Sequence, residues 1–151
     1  MSDKDKPDAT TPTRLDTVRL QGIVKGFWES AALMSAVELG AFTAISRGEN
    51  TTARAARAMG IEVMNAERLL TALTAMGLLS RDGDRFTNAP DVERFLVEGK
   101  RSYAGPWMLF SKPRWTGWGE LTDRLREPLD AQRVLGMYAE GFTEAKAREY
   151  H

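Results

Sequence analysis

The feature that most constrains this chain is a broad apolar stripe near its amino end. Between Leu15 and about Ile45 the apolar residues advance by three or four positions, a spacing typical of one long helix or of two abutting helices. The stripe comprises Leu20, Val24, Phe27, Ala31 and Met34, widened by Ile23, Trp28 and Val37. A single small domain does not readily cover so wide a stripe, so Phe27 and Trp28 belong either to the core of a helical bundle or to a partner surface.

A helix-turn-helix pattern followed by a hairpin comes next. The polar residues 49–52 predict the start of a short helix that Gly60 ends, and a second helix is predicted over Met64–Met76, ended by Gly77. Two short runs then flank Asp82-Gly83-Asp84, where an Asp-Gly pair is a strong hairpin signal. The order of helix, turn, helix and hairpin predicts a winged-helix-like core in a mainly α fold with long N-terminal and C-terminal helices.

The carboxyl-terminal third is rich in aromatic residues. A short helix is predicted after Pro90, and the segment Tyr103–Trp118 is divided by Pro106 and Pro113 into short pieces. A further helix is predicted over residues 130–150. Aromatic side chains in such a segment either pack a core or interface or form the wall of a pocket for a flat ligand. The candidate wall residues are Trp107, Met108, Phe110, Trp115 and Trp118.

Composition excludes most catalytic and metal chemistry. The chain of 151 residues has no cysteine, which rules out disulfides, cysteine zinc sites and a thiol nucleophile, and its one histidine is the terminal His151. Asp82-Gly83-Asp84 is too short to enclose a cation, and no glycine cluster follows a strand as in a nucleotide-binding loop. The sequence therefore predicts no catalytic, cofactor-binding or metal-binding residue. We also expect a disordered tail over residues 1–13 and, from the lack of a signal or membrane segment, a cytoplasmic protein.

Charge argues against DNA as the partner of the winged-helix-like core. Residues 47–101 carry nine basic and eight acidic side chains, and the whole chain carries 21 of each. Neutralising phosphates normally requires several basic side chains on one face. Arg81 and Arg85 are expected to pair with Asp82 and Asp84 of the hairpin. A winged-helix transcriptional regulator with an aromatic effector-binding segment stays the alternative prediction.

Several segments together resemble a known family. The chain is similar, over about residues 17–125, to the N-terminal dimerisation domain of the S-adenosylmethionine-dependent O-methyltransferases of small molecules. The segments that carry this resemblance are Phe27–Leu33, Ala36–Phe42, Asn65–Leu73, Met76–Leu79, the Asp82-Gly83 hairpin up to Thr87, and Trp118–Leu121.

The resemblance implies a homodimer in which the first helices of two subunits exchange across a two-fold axis. The implied interface residues are Leu20, Val24, Phe27, Trp28, Ala31 and Met34. It also implies that the aromatic segment contributes a wall to an acceptor-substrate pocket. Methyl-donor binding would belong to a following α/β domain of roughly another 150 to 200 residues, which this chain does not contain.

The expected organisation is therefore a tail over residues 1–13, a winged-helix dimerisation domain over residues 14–125 and a helical linker over residues 126–151. The expected function is that of a dimerisation and substrate-wall domain, part of or derived from a methyltransferase and not catalytic alone. No cofactor is expected in this chain, since S-adenosylmethionine would bind the missing domain. The expected partners are a second copy, a separate catalytic methyltransferase chain and an aromatic small molecule, without nucleic acid or membrane.

Overall fold

A computed structural model describes residues 15–128, and these residues form a mainly helical fold with one small hairpin, as predicted. The elements are α1 Val18–Glu38, α2 Ala41–Ser46, α3 Thr52–Met59, α4 Val63–Ala75, β1 Leu79–Asp82, β2 Arg85–Asn88, α5 Pro90–Phe95, α6 Gly105–Leu109, a 3-10 turn Lys112–Arg114, α7 Trp115–Gly119 and α8 Leu121–Arg126. The predicted tail over residues 1–13 and the predicted helix over residues 130–150 lie outside the described residues.

The amino-terminal stripe forms two abutting helices. Helix α1 ends because Gly40 adopts a left-handed conformation, with φ of 68°, that glycine tolerates without steric strain. The amide of Leu39 donates to the carbonyl of Ser35, and the amide of Gly40 donates to the carbonyl of Val37. This sharp bend turns α2 back toward the interior, where every residue from Ala41 to Ile45 is buried.

The helix pair and hairpin form as the sequence predicts. Gly60, with φ of 67°, follows α3 directly, and α4 runs within one residue of its predicted bounds. In the antiparallel hairpin Leu79 pairs with Asn88 and Asp82 pairs with Arg85, so the loop consists of Gly83 and Asp84. The hairpin is joined to the start of α3, because the amide of Phe86 donates to the carbonyl of Asn50.

The core lies where α2, α3, α4 and the hairpin meet. The largest fully buried side chains are Phe42, Phe86, Leu70, Leu73 and Val92. Small residues on α3 and α4, Ala55 and Ala66, are also fully buried and allow these helices to approach closely. The carboxyl-terminal end of α1 joins the same core through Ala36 and Val37.

The aromatic segment packs against α1. Helix α6 contacts α1, and Lys112 of the 3-10 turn pairs with Glu38 at the carboxyl-terminal end of α1. The amide of Ala104 donates to the carbonyl of Phe95, which fixes the entry of the segment. Helix α7 thereby lies beside α1, where Trp115 and Trp118 share a groove with Phe27 and Met34.

Candidate functional site

Helix α1 carries an exposed apolar surface, which we call the α1 ridge. Its side chains are 52% to 67% exposed, and they are Leu20, Ile23, Val24, Phe27 and Trp28. The rings of Phe27 and Trp28 contact each other edge to face, with 5.5 Å between centroids. A contiguous apolar surface of this kind marks an interaction site on a soluble domain. Not all of the six predicted interface residues belong to this exposed surface.

The predicted interface set divides along the length of α1. Leu20, Val24, Phe27 and Trp28 lie on the α1 ridge, whereas Ala31 is half-buried and Met34 is buried within the chain itself. The change occurs because the last turns of α1 pack against α2, α4 and α6. The ridge is therefore confined to the amino-terminal half of the helix, and its contact with a second copy stays a prediction.

A first groove, the α1–α7 groove, lies between the ridge and the aromatic segment. It encloses about 500 Å³ and is lined by Phe27, Ser30, Met34, Ser111, Trp115, Trp118 and Gly119. Residues predicted separately as interface and as pocket wall thus meet in one cavity. Trp107, Met108 and Phe110 do not line it: Trp107 stacks on Phe110 at 5.7 Å, and Met108 packs against the core.

A second groove, the Trp118–Arg124 groove, lies on the other side of Trp118. It encloses about 430 Å³ and is lined by Pro113, Arg114, Thr116, Gly117, Trp118, Leu121 and Arg124. Its two arginines, Arg114 and Arg124, were not predicted as site residues. A signal was present, because Arg114, Trp118, Leu121 and Arg124 follow one another at intervals of three or four residues.

The polar face of α4 is tied to the hairpin. Glu67 accepts a hydrogen bond from the hydroxyl of Thr52 and pairs with Arg81 at 2.6 Å, and these two contacts lower the pKa of its carboxyl. Arg81 also donates to the carbonyl of Gly83. The prediction that the hairpin arginines pair with Asp82 and Asp84 was wrong, since Arg81 reaches Glu67 and Arg85 reaches Asn50 at 3.4 Å.

These contacts give no support to the transcription-regulator alternative. The side chains on α4 that would read a major groove include a carboxylate, Glu67, and the arginine nearest to it is already neutralised by that carboxylate.

A polar cluster around Glu93 joins α2, β2 and α5. Glu93 pairs with Lys100 at 2.5 Å and accepts hydrogen bonds from Asn88 and Ser46. The Lys100 ammonium, followed by the Asn88 and Ser46 groups, lowers the pKa of Glu93 to about 2, against the opposing effect of burial. Asn88 also donates to the buried carbonyl of Phe42. The cluster stabilises the fold and lines neither groove.

Residues 15–128 contain neither a cluster of metal ligands nor a membrane-spanning helix. Within that range no group of three or more histidine or acidic side chains is placed to hold a metal ion. None of the helices described there is long and apolar enough to cross a membrane.

The fold is that of the N-terminal region of O-methyltransferases. It matches the structure of an O-methyltransferase family protein from Burkholderia thailandensis with a TM-score of 0.64 and 32% identity, over 75% of this chain and 34% of that one. It also matches human N-acetylserotonin methyltransferase with a TM-score of 0.66 at 22% identity, over 78% of this chain and 36% of that one.

The family model of the O-methyltransferase dimerisation domain matches residues 22–98, which include most of α1 and the whole core. The chain belongs to this family. Curated relatives are a 3-hydroxy-5-methyl-1-naphthoate 3-O-methyltransferase of Streptomyces sahachiroi, 32% identical over 87% of this chain, and an N,N-dimethyltransferase, OxyT, of Streptomyces rimosus, 35% identical over 70%. The chain spans 40% and 31% of the length of these two relatives.

Proposed function

We propose that the chain forms a homodimer in which the α1 ridges of two copies pack against each other. The observation that carries this proposal is the exposure of the five ridge residues in a chain that belongs to a dimerisation-domain family. Helix α1 is 21 residues long, or about 31 Å, which suits a stable interface of roughly 800 Å² per partner. The exchange of first helices between subunits and the winged-helix character of the core are part of the same proposal.

The second part of the proposal concerns the α1–α7 groove. Trp115 and Trp118 form a wall for the methyl acceptor, and Phe27 extends that wall into the dimer interface. We propose an aromatic acceptor, because a planar ring packs well on indole rings. The Streptomyces sahachiroi relative is named for a naphthoate acceptor, which supports the same class.

The methyl donor is assigned to another part of the assembly. Within residues 15–128 the sheet is a two-stranded antiparallel hairpin, so the described chain lacks the parallel strand and glycine-rich loop that hold an adenosine cofactor at a helix N-terminus. The described residues therefore do not fit S-adenosylmethionine. We propose that a catalytic α/β domain, in the same protein or in a separate chain, supplies that site, and that the assembly is cytoplasmic.

The mass of the chain in solution tests the dimer. Light scattering at micromolar concentration should give about twice the chain mass of 16.8 kDa, and a mass of one chain would contradict the proposal. Calorimetry with S-adenosylmethionine tests the assignment of the donor site. We expect no heat of binding in the micromolar range, and clear micromolar binding would overturn that assignment.

A further inference from the structure

The Trp118–Arg124 groove combines an apolar floor with a cationic rim. The floor is formed by Pro113, Trp118 and Leu121, and Trp118 is 69% exposed there. The rim is formed by Arg114 and Arg124. This combination differs from the α1–α7 groove, whose lining residues carry no charged side chain.

The two guanidinium groups are incompletely neutralised. Arg124 pairs with Glu120 through Nη2 at 3.0 Å, which leaves its other N–H groups available to a ligand. Arg114 lies over the ring of Phe110 at 5.2 Å and makes no ion pair with a carboxylate of residues 15–128. Among residues 15–128, the groove therefore presents two guanidinium groups against one paired carboxylate, that of Glu120.

The absence of a side chain at Gly117 brings Arg124 close to the floor. A Cβ atom placed on Gly117 would lie 3.4 Å from Nη2 of Arg124, so the guanidinium rests almost on the backbone of α7. Trp118 is the next residue of the same helix. A ligand lying on the Trp118 ring is thus within reach of the positive charge beside it.

We propose that this groove binds a planar aromatic carboxylate. Its ring lies on Trp118 and Leu121, and its carboxylate is held by Arg114 and Arg124. Charge complementarity selects this class, because a guanidinium group pairs with a carboxylate in a two-pronged hydrogen-bonded geometry. The volume of about 430 Å³ suits an acid of one or two rings. The inference rests on the proposed acceptor-wall function only through Trp118, which lines both grooves, and it adds a second, charged site beside that wall.

Nuclear magnetic resonance of the full chain tests the inference. The chain has four tryptophans, so a ¹⁵N-labelled sample should give four indole signals, and Trp118→Phe identifies the one that belongs to Trp118. The sample is titrated with 1-naphthoate and, separately, with the neutral isostere 1-naphthamide. We expect both to shift the Trp118 signal, with naphthoate binding roughly three- to ten-fold tighter, a preference that falls as salt is raised.

Matched variants locate the effect. Arg114→Gln and Arg124→Gln should each lower the affinity for naphthoate toward that for naphthamide. Arg94→Gln is the control, because Arg94 also lies over a phenylalanine ring, that of Phe95 at 5.1 Å, but lines neither groove. The control variant should bind naphthoate as the unaltered chain does.

The outcomes separate this inference from the proposed function. Equal affinities for naphthoate and naphthamide, or a naphthoate affinity unchanged by Arg114→Gln, would overturn the carboxylate site and leave the apolar wall standing. Failure of both compounds to shift the Trp118 signal would overturn the carboxylate site and the acceptor wall together. Neither result bears on the dimer, which is measured by mass.

Discussion

Removal of the two aromatic rings of the α1 ridge should dissociate the homodimer. The change is the double substitution Phe27→Ser and Trp28→Ser. These side chains are 54% and 57% exposed, which corresponds to roughly 200 Å² of exposed area per subunit. At about 25 cal/mol per Å², full burial in a dimer would contribute about 5 kcal/mol per subunit, or about 10 kcal/mol for two copies.

The measurable loss should be smaller than this upper bound. Burial in an interface is incomplete, and association has its own entropic cost. If about one third of the area term is realised, the dissociation constant rises at least about 100-fold, because each 1.4 kcal/mol is a factor of ten. In a dilution series followed by sedimentation, the concentration at which the dimer separates into chains of 16.8 kDa should therefore be at least about 100-fold higher for the double variant than for the unaltered chain.

The control is Met64→Ser on α4. Met64 is 63% exposed, so the substitution removes a comparably exposed apolar side chain from a different helix and should leave the mass unchanged. Far-ultraviolet circular dichroism should show that both variants keep their helices, since no altered residue belongs to the core. A double variant that dissociates at the same concentration as the unaltered chain, or an unaltered chain that is monomeric throughout, would refute the assignment of the interface to the α1 ridge.

The remaining predictions concern the fold. Phe86→Ala should lower the free energy of unfolding, measured in urea, by about 3 to 5 kcal/mol because Phe86 is 1% exposed; a loss under about 1 kcal/mol would contradict its place in the core. The pKa of Glu93 is lowered to about 2 in the folded chain. The stabilisation that its carboxylate gives the fold is therefore complete above the ordinary pKa of 4.5 and is lost as pH falls toward 2. Glu93→Gln should therefore reduce the loss in the free energy of unfolding across that pH window by about 1 kcal/mol, a value lowered to allow for the partial exposure of the carboxylate. An unchanged pH profile would contradict the ion pair with Lys100. Gly60→Ala should lower the midpoint of thermal unfolding, because alanine at φ of 67° adds about 1 kcal/mol of backbone strain. Gly22→Ala is the control and should raise the midpoint, because Gly22 lies inside α1 with open space around it. Equal shifts would contradict the left-handed helix end at Gly60.

Local signals explain why the core of the fold follows from the sequence. Gly60 and Gly77 end α3 and α4 because each adopts a positive φ that other residues avoid, and this preference is visible in the sequence without knowledge of neighbours. The hairpin is equally local, since its loop contains Gly83 with φ of 59°. The spacing of the apolar residues in α1 is also a local signal, so it predicted a helix without knowledge of distant contacts.

Contacts between distant residues explain what the sequence did not predict. Arg81 pairs with Glu67, which is 14 residues away, rather than with its neighbours Asp82 and Asp84, because the hairpin folds back onto α4. Met34 is buried because the end of α1 packs against other helices while its beginning is exposed. The spacing of apolar residues is the same at both ends and does not predict this difference. The α1–α7 groove likewise depends on a distant contact, because Trp115 and Trp118 of the aromatic segment lie beside Phe27 and Met34 of α1.

Helix α1 is packed into the core at its carboxyl-terminal end only, so its backbone amides should be protected from hydrogen exchange in two different ways. Its final turns, around Ala36 and Val37, should exchange their amide hydrogens only when the whole domain opens. Its earlier turns, around Phe27, are exposed in the single chain, so only their own helical hydrogen bonds protect their amides there. A second copy packed against them would add protection, and their exchange should therefore slow as the protein is concentrated. Deuterium uptake along this single helix would therefore report the opening of a subunit at one end and the joining of subunits at the other.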